Sequence, residues 1–196
     1  MRRLFTVGGV AAGIVLILFG IGSLGLSVFG FTEVRGSLEE ENIVGSPDME
    51  PDAIAAAVQG AGVDVGDLPD CDVAEEEIDT GGKAKCFADY MRIHTLLSTG
   101  GETYAEMGRF LDEQGNPTSS EEEAAVGEGG RPVDNPMRQL WVTETALATA
   151  LNMAYLAENV AIFGIVVGIA LILAGVGFIV LAVGALGGLG RSAEAV

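Results

Sequence analysis

Two stretches of this chain carry no charge: residues 4–32, a run of 29, and residues 159–190, a run of 32. A helix rises 1.5 Å per residue, so about 20 apolar residues cross a hydrocarbon core of about 30 Å. Both runs exceed that length and predict membrane-crossing helices. They also share a phrase. Residues 9–22 read GVAAGIVLILFGIG and residues 164–177 read GIVVGIALILAGVG, identical at eight of fourteen positions.

Charge is confined to what lies between. Residues 33–158 hold 27 acidic against 7 basic side chains, and the whole chain has a formal net charge of -18. Arg2 and Arg3 precede the first run and Arg191 follows the second. Cations favour the cytoplasmic flank of a membrane helix, which predicts both termini in the cytoplasm and the acidic middle outside. A cleaved signal peptide is the rival for the first run. Its apolar core is usually about 7–15 residues long, and LGLSVFGFTEVRG lacks a small-residue cleavage motif, so an uncleaved signal anchor is expected.

The expected fold is an all-α membrane protein with two antiparallel transmembrane helices and a small extracytoplasmic helical domain between them. The boundaries are a cytoplasmic N-terminus at 1–3, helices at 4–32 and 159–190, the acidic domain at 33–158 and a tail at 191–196. Within the acidic domain Pro51 opens a helix that Gly60 closes. KCFADYMRIHTLLS places Cys86, Phe87, Tyr90, Ile93, His94 and Leu97 on one helical face, with Asp89 and Arg92 opposite. Thr103 and Glu106 form a capping box for a helix TYAEMGRFLDEQ, with Tyr104, Met107 and Leu111 on one face. Residues 117–134 have the acidic, weakly hydrophobic composition of a mobile surface loop. Asn135 caps and Pro136 begins a helix over residues 136–188, so that the second membrane helix continues a long outer one. Leu140, Leu147, Leu151 and Ala154 form its inward stripe. No segment shows strand-like alternation.

The glycines of the two runs are placed for contact. Gly9, Gly13 and Gly20 fall on one stripe, and Ala161, Gly164, Gly168, Gly175 and Ala182 on another. In lipid, helix pairing gains little from hydrophobicity, so close approach of backbones over small residues supplies the contact. These stripes predict a tight hairpin within the chain, self-association, or pairing with another membrane protein. Uncharged interiors offer no proton relay or ion path.

Cys71 and Cys86, the only cysteines, fall in the domain expected outside, where disulfides persist. Joining them closes a loop of about 15 residues, worth roughly 3 kcal/mol in the chain-entropy model. Their spacing matches neither a redox CxxC nor a zinc pattern. His94, the sole histidine, is expected to border the core and has no partner for a catalytic triad. Asp64, Asp67, Asp70 and Asp72 are the weak candidates for calcium, although their spacing departs from the EF-hand loop. No cofactor is implied. The acidic surface disfavours nucleic acid and attracts basic partners.

With MRRLFTVGGVAAGIVLILFGIGSL, VGSPDM, LPDCDVA, KCFADYMRIHTL, TGGETYAEMGRFLD and WVTETALATALNMAYLAENVAIF in this order, the chain resembles a group of actinobacterial membrane proteins with two membrane helices. They are often called "aromatic ring-opening dioxygenase LigA". The likeness covers most of the length. That name implies ring cleavage at a non-haem iron, a site that takes two histidines and one carboxylate. With one histidine the chain does not supply such a site alone, and in two-subunit dioxygenases the larger subunit holds the metal. The residues themselves point first to a non-enzymatic, membrane-anchored interaction or accessory module of a homo-oligomer or envelope complex. A second expectation is an extracytoplasmic sensor or ligand-binding module.

Overall fold

A computed structural model describes residues 2–185. Residues 186–190 of the expected second span, the end of the long helix expected near Gly188, Arg191 and the 191–196 tail lie outside the described residues. The protein is mostly helical. Its elements are α1 (Arg2–Glu40), α2 (Pro51–Ala61), α3 (Gly81–Ser98), the two-residue strands β1 (Phe110–Leu111) and β2 (Pro117–Thr118), a 3-10 turn at Glu128–Gly130, and α4 (Pro136–Val180), which ends in a π turn at Leu181–Ala185. Contacts divide the chain into one unit of Met1–Gly36 with Leu156–Val196, and another of Ser37–Tyr155.

The first unit consists of the apolar parts of α1 and α4, both long and apolar enough to cross a membrane. Only 11% and 17% of their most apolar windows are buried. Leu18, Phe19, Phe163 and Leu173 are each more than half exposed, unlike the side chains of a soluble core. α1 outlasts its apolar run and stays helical to Glu40.

The second unit has a core of Met49, Ile54, Val73, Ile78, Ala84, Tyr90, Ile93 and neighbours. α2 packs on α3. Pro51 sits in the first turn of α2, where its missing N–H costs nothing, and the helix runs one residue past Gly60 to end on Gly62 at φ 66°. Thr80 caps α3 by accepting from the Lys83 amide. α3 is buried more broadly than a single face: Gly81, Ala84, Cys86, Ala88, Tyr90, Ile93, Thr95 and Leu96 are all inside. Phe87, His94 and Leu97 are only half-buried. Residues 43–45 pair with 75–78 through Gly45 N to Glu76 O, Glu75 N to Gly45 O and Ile78 N to Ile43 O.

Residues 103–114 depart from expectation. The Thr103 amide and hydroxyl both donate to Glu106, and Glu106 N and Met107 N reach Thr103 O, but the helix stops after that one turn. Two carbonyls of the expected helix, Met107 and Gly108, and that of Glu102 just before it accept from side chains at the start of α4. Trp141 Nε1 donates to Glu102 O, Arg138 Nη1 to Met107 O, and Asn135 Nδ2 to Gly108 O. The chain then enters a hairpin with Phe110 opposite Thr118 and Leu111 opposite Pro117. Its turn is built on Asp112, whose carboxylate accepts from the amides of Gln114 and Asn116, with Gly115 at φ 82°. A Cβ on Gly108 would meet Thr118 N at 2.5 Å, so only glycine permits that approach.

Residues 117–134 also differ from a free surface loop. Leu111 N donates to Val133 O, Ala125 N to Leu111 O, and Val133 N to Ala125 O, while Ala124 is buried. Short antiparallel pairing therefore exists where no strand was expected, because each pair spans too few residues to show period-two alternation.

α4 begins as its sequence predicts, with Met137 N donating to Asn135 Oδ1. Its inward face is turned from the expected stripe. Leu140 and Leu147 are exposed, and Trp141, Glu144 and Leu151 are buried. The cluster Trp141, Leu96 and Met107, with Val65 against it, sets that rotation.

Candidate functional site

In the first unit the six glycines singled out in the sequence all lie where α1 meets α4. A Cβ on Gly13 would stand 2.6 Å from Gly175 O, one on Gly20 2.7 Å from Gly168 O, and one on Gly9 2.8 Å from Ala182 Cβ. The contact is mutual. A Cβ on Gly175 would lie 2.6 Å from Gly13 O, one on Gly168 2.8 Å from Leu24 Cγ, and one on Gly164 would meet Ser27 Oγ. Ala161 and Ala182 are buried beside them. Gly22, Gly25 and Gly177, in the same helices, have nothing within 4 Å.

Two polar contacts in this unit escaped sequence reasoning. Ser23 Oγ donates to Gly164 O at 2.8 Å, so a backbone carbonyl gains a second hydrogen bond where the helices touch. Arg35 donates through Nε and Nη2 to Glu158 Oε1 at 2.9 and 2.7 Å and lies over the Phe31 ring. The Glu158 side chain is 7% exposed. A carboxylate that deep is tolerated because a guanidinium neutralises it. Both residues flank the uncharged runs, which is the signal available in the sequence.

In the second unit Cys71 and Cys86 lie at disulfide distance, with Cα atoms 6.1 Å apart. The bond ties the 63–79 segment to the first turns of α3. Tyr90, wholly buried, donates its hydroxyl to Cys71 O at 2.7 Å and repeats that tie. Burial pushes the phenol pKa up, and the charges of Asp72, Glu50 and Asp70 push it further, so Tyr90 is a hydrogen-bond donor and not an acid.

Two of the four aspartates serve their own loops. Asp64 accepts from Gly66 N and Asp72 from Ala74 N. Asp67 and Asp70 border a hollow of about 300 Å³ together with Asp89 and Arg92. Lys85 pairs with Asp89. Among the described residues no group of three His, Cys, Asp or Glu side chains is arranged to hold a metal ion.

His94 is half-buried on α3. Its Nε2 is sealed from solvent 3.3 Å from Asp48 Oδ2, without the alignment of a hydrogen bond. Asp48 also accepts from Ser46 Oγ at 2.5 Å. That hydroxyl chiefly holds the Asp48 carboxyl below its ordinary 3.8; burial opposes it, and the nearby His94 adds a lesser lowering. Glu144 is buried in α4 and accepts from Thr145 Oγ1 at 3.2 Å. Each carboxylate thus holds one neighbouring hydroxyl, Ser46 on Asp48 and Thr145 on Glu144. No protein family matches the chain, and neither a curated protein nor a solved structure is significantly similar to it.

Two predictions follow from these contacts. Gly13→Leu, which drives a side chain into the Gly175 carbonyl, should destabilise the full chain in lipid nanodiscs by about 1–3 kcal/mol. Gly22→Ala, with open space around it, should cost nothing. Thermal unfolding followed by circular dichroism compares them, and equal losses would mean that the contact is not the cause. Because the folded Asp48 pKa is depressed, its contribution to stability is present above 3.8 and is lost as pH falls through the lower folded value. Ser46→Ala should move the Asp48 titration up toward 3.8, read from its carboxyl shift by NMR; an unmoved titration would remove Ser46 as the cause.

Proposed function

We propose that the protein is a membrane-anchored, non-enzymatic interaction module whose acidic unit stands outside the cell membrane. The observation that carries the reading is the glycine contact in the first unit. Gly9, Gly13 and Gly20 meet Ala182, Gly175 and Gly168, so the partner number falls as the chain number rises. That order is the register of an antiparallel pair, and Arg35 with Glu158 continues it. Two such helices form a hairpin that enters and leaves one bilayer, its exposed apolar side chains solvated by lipid.

The sidedness rests on Arg2, Arg3 and Arg191, which favour the cytoplasm, and on the Cys71–Cys86 pair, which favours an oxidising exterior. Residues 37–155 carry 25 acidic and 6 basic side chains. Such a surface steers basic partners toward it and repels anionic headgroups and nucleic acid. The module acts as an accessory subunit or self-associating scaffold of an envelope complex. A sensor is the second reading. It is favoured by α4, which runs unbroken from Pro136 to Val180.

Sidedness is tested with Ser119→Cys, at an exposed position, in intact cells. A membrane-impermeant maleimide should label it before lysis. Labelling only after lysis would place the acidic unit in the cytoplasm and end the reading.

A further inference from the structure

The second unit contains a feature that anchoring does not use. Tyr104, Trp141, Val142, Thr145, Ala146 and Thr149 line an open groove of about 510 Å³ along the first turns of α4. A second hollow, of about 240 Å³, shares Tyr104 and Val142 with it and is bordered by Arg109, Arg138, Asn135, Gln139 and Asp134. The two therefore form one continuous depression, apolar along its length and cationic at one end. Its size falls within the range of small-molecule sites, about 300–1,000 Å³.

The cationic end is out of character with its surroundings. Residues 37–155 hold 25 acidic side chains, and both lysines of the unit are taken by carboxylates: Lys83 by Glu76 and Asp79, Lys85 by Asp89. Among the described residues Arg109 and Arg138 form no ion pair, even with Asp134 beside them. Each lies over an aromatic ring instead, Arg138 at 3.9 Å from the Tyr104 centroid and Arg109 at 5.4 Å from that of Phe110. Arg138 spends one N–H on Met107 O. The remaining guanidinium donors are free for a planar or tetrahedral oxyanion. An exposed apolar strip alone would suit many occupants. Two unpaired guanidinium groups at its end select one kind.

We propose that this depression binds a single-chain anionic amphiphile, its acidic head on Arg109 and Arg138 and its hydrocarbon chain along Val142, Ala146 and Thr149. Tyr104 joins the two parts, its ring held flat by the Arg138 guanidinium. Trp141 closes the floor, fixed by its bond to Glu102 O. The two guanidinium groups outweigh the single carboxylate of Asp134 and disfavour a cationic head. The proposal does not depend on which side of a membrane the unit occupies.

Trp141 is the only tryptophan and lines the groove, so it reports occupancy directly. The full chain in neutral phosphatidylcholine nanodiscs is titrated with ω-bromododecanoic acid, whose bromine quenches tryptophan on contact, and in parallel with its methyl ester. The acid should quench saturably, with a half-point about tenfold below that of the ester, the ratio set by one charge-assisted hydrogen bond. Arg109→Gln, at an exposed position, should erase that ratio, and Ala146→Leu, which fills the groove, should erase saturation. Inorganic phosphate should compete only weakly, because it lacks the chain. Equal or non-saturating quenching by acid and ester would reduce the effect to partition into the bilayer and overturn the proposal. So would an unchanged ratio in Arg109→Gln. A particle mass that halves in Ala146→Leu would assign the groove to a second copy instead.

Discussion

The close approach of two helix backbones at glycine is the constraint on which the rest of this protein depends. Two helices this apolar gain nothing from hiding their side chains from one another if the surroundings are apolar too, so their association needs another source. It comes from removing the side chains altogether at Gly9, Gly13, Gly20, Gly164, Gly168 and Gly175, where a single Cβ would collide with the facing helix. Dispersion between backbones, and the Ser23 bond to the Gly164 carbonyl, then become available. The repeated phrase of the two runs is explained by that need: each helix presents the same spacing of gaps to the other.

The acidic unit solves a different problem. With 25 carboxylates in 119 residues it repels itself, and it has few long elements to bury. It is held by cross-ties instead. The disulfide and the Tyr90 hydroxyl both fasten residues near 71 to α3, and three side chains from the start of α4 fasten residues 102–108. A loop closed by about 15 residues contributes roughly 3 kcal/mol in the chain-entropy model, a large share for a small unit of marginal stability.

How much of this was legible follows from where each element gets its instructions. The long helices were readable because uncharged length is a local property, and the glycine stripes because helical spacing is fixed. Asn135 and Pro136 announced the start of α4 for the same reason. Residues 103–114 misled because their capping box is real but weak. The carbonyls of Met107 and Gly108 are claimed by Arg138 and Asn135, about thirty residues away in sequence, and nothing local announces that competition. DEQGNP did contain a turn signal, an aspartate followed by glycine and Asn-Pro, which marks the hairpin in retrospect. The rotation of α4 was hidden because Leu140 and Leu147 look as apolar as Trp141; only packing against Leu96 and Met107 decides among them. The unpaired arginines were likewise invisible, since pairing is a property of three-dimensional neighbours.

The register of α1 against α4 tests the account most directly. Gly9→Cys combined with Ala182→Cys, in native membranes treated with a mild oxidant, should give an intrachain disulfide recoverable as a linked peptide by mass mapping. Gly9→Cys combined with Ala161→Cys should give none. The opposite pattern, with Gly9 captured by position 161 and not by 182, would contradict the proposed hairpin and everything built upon it.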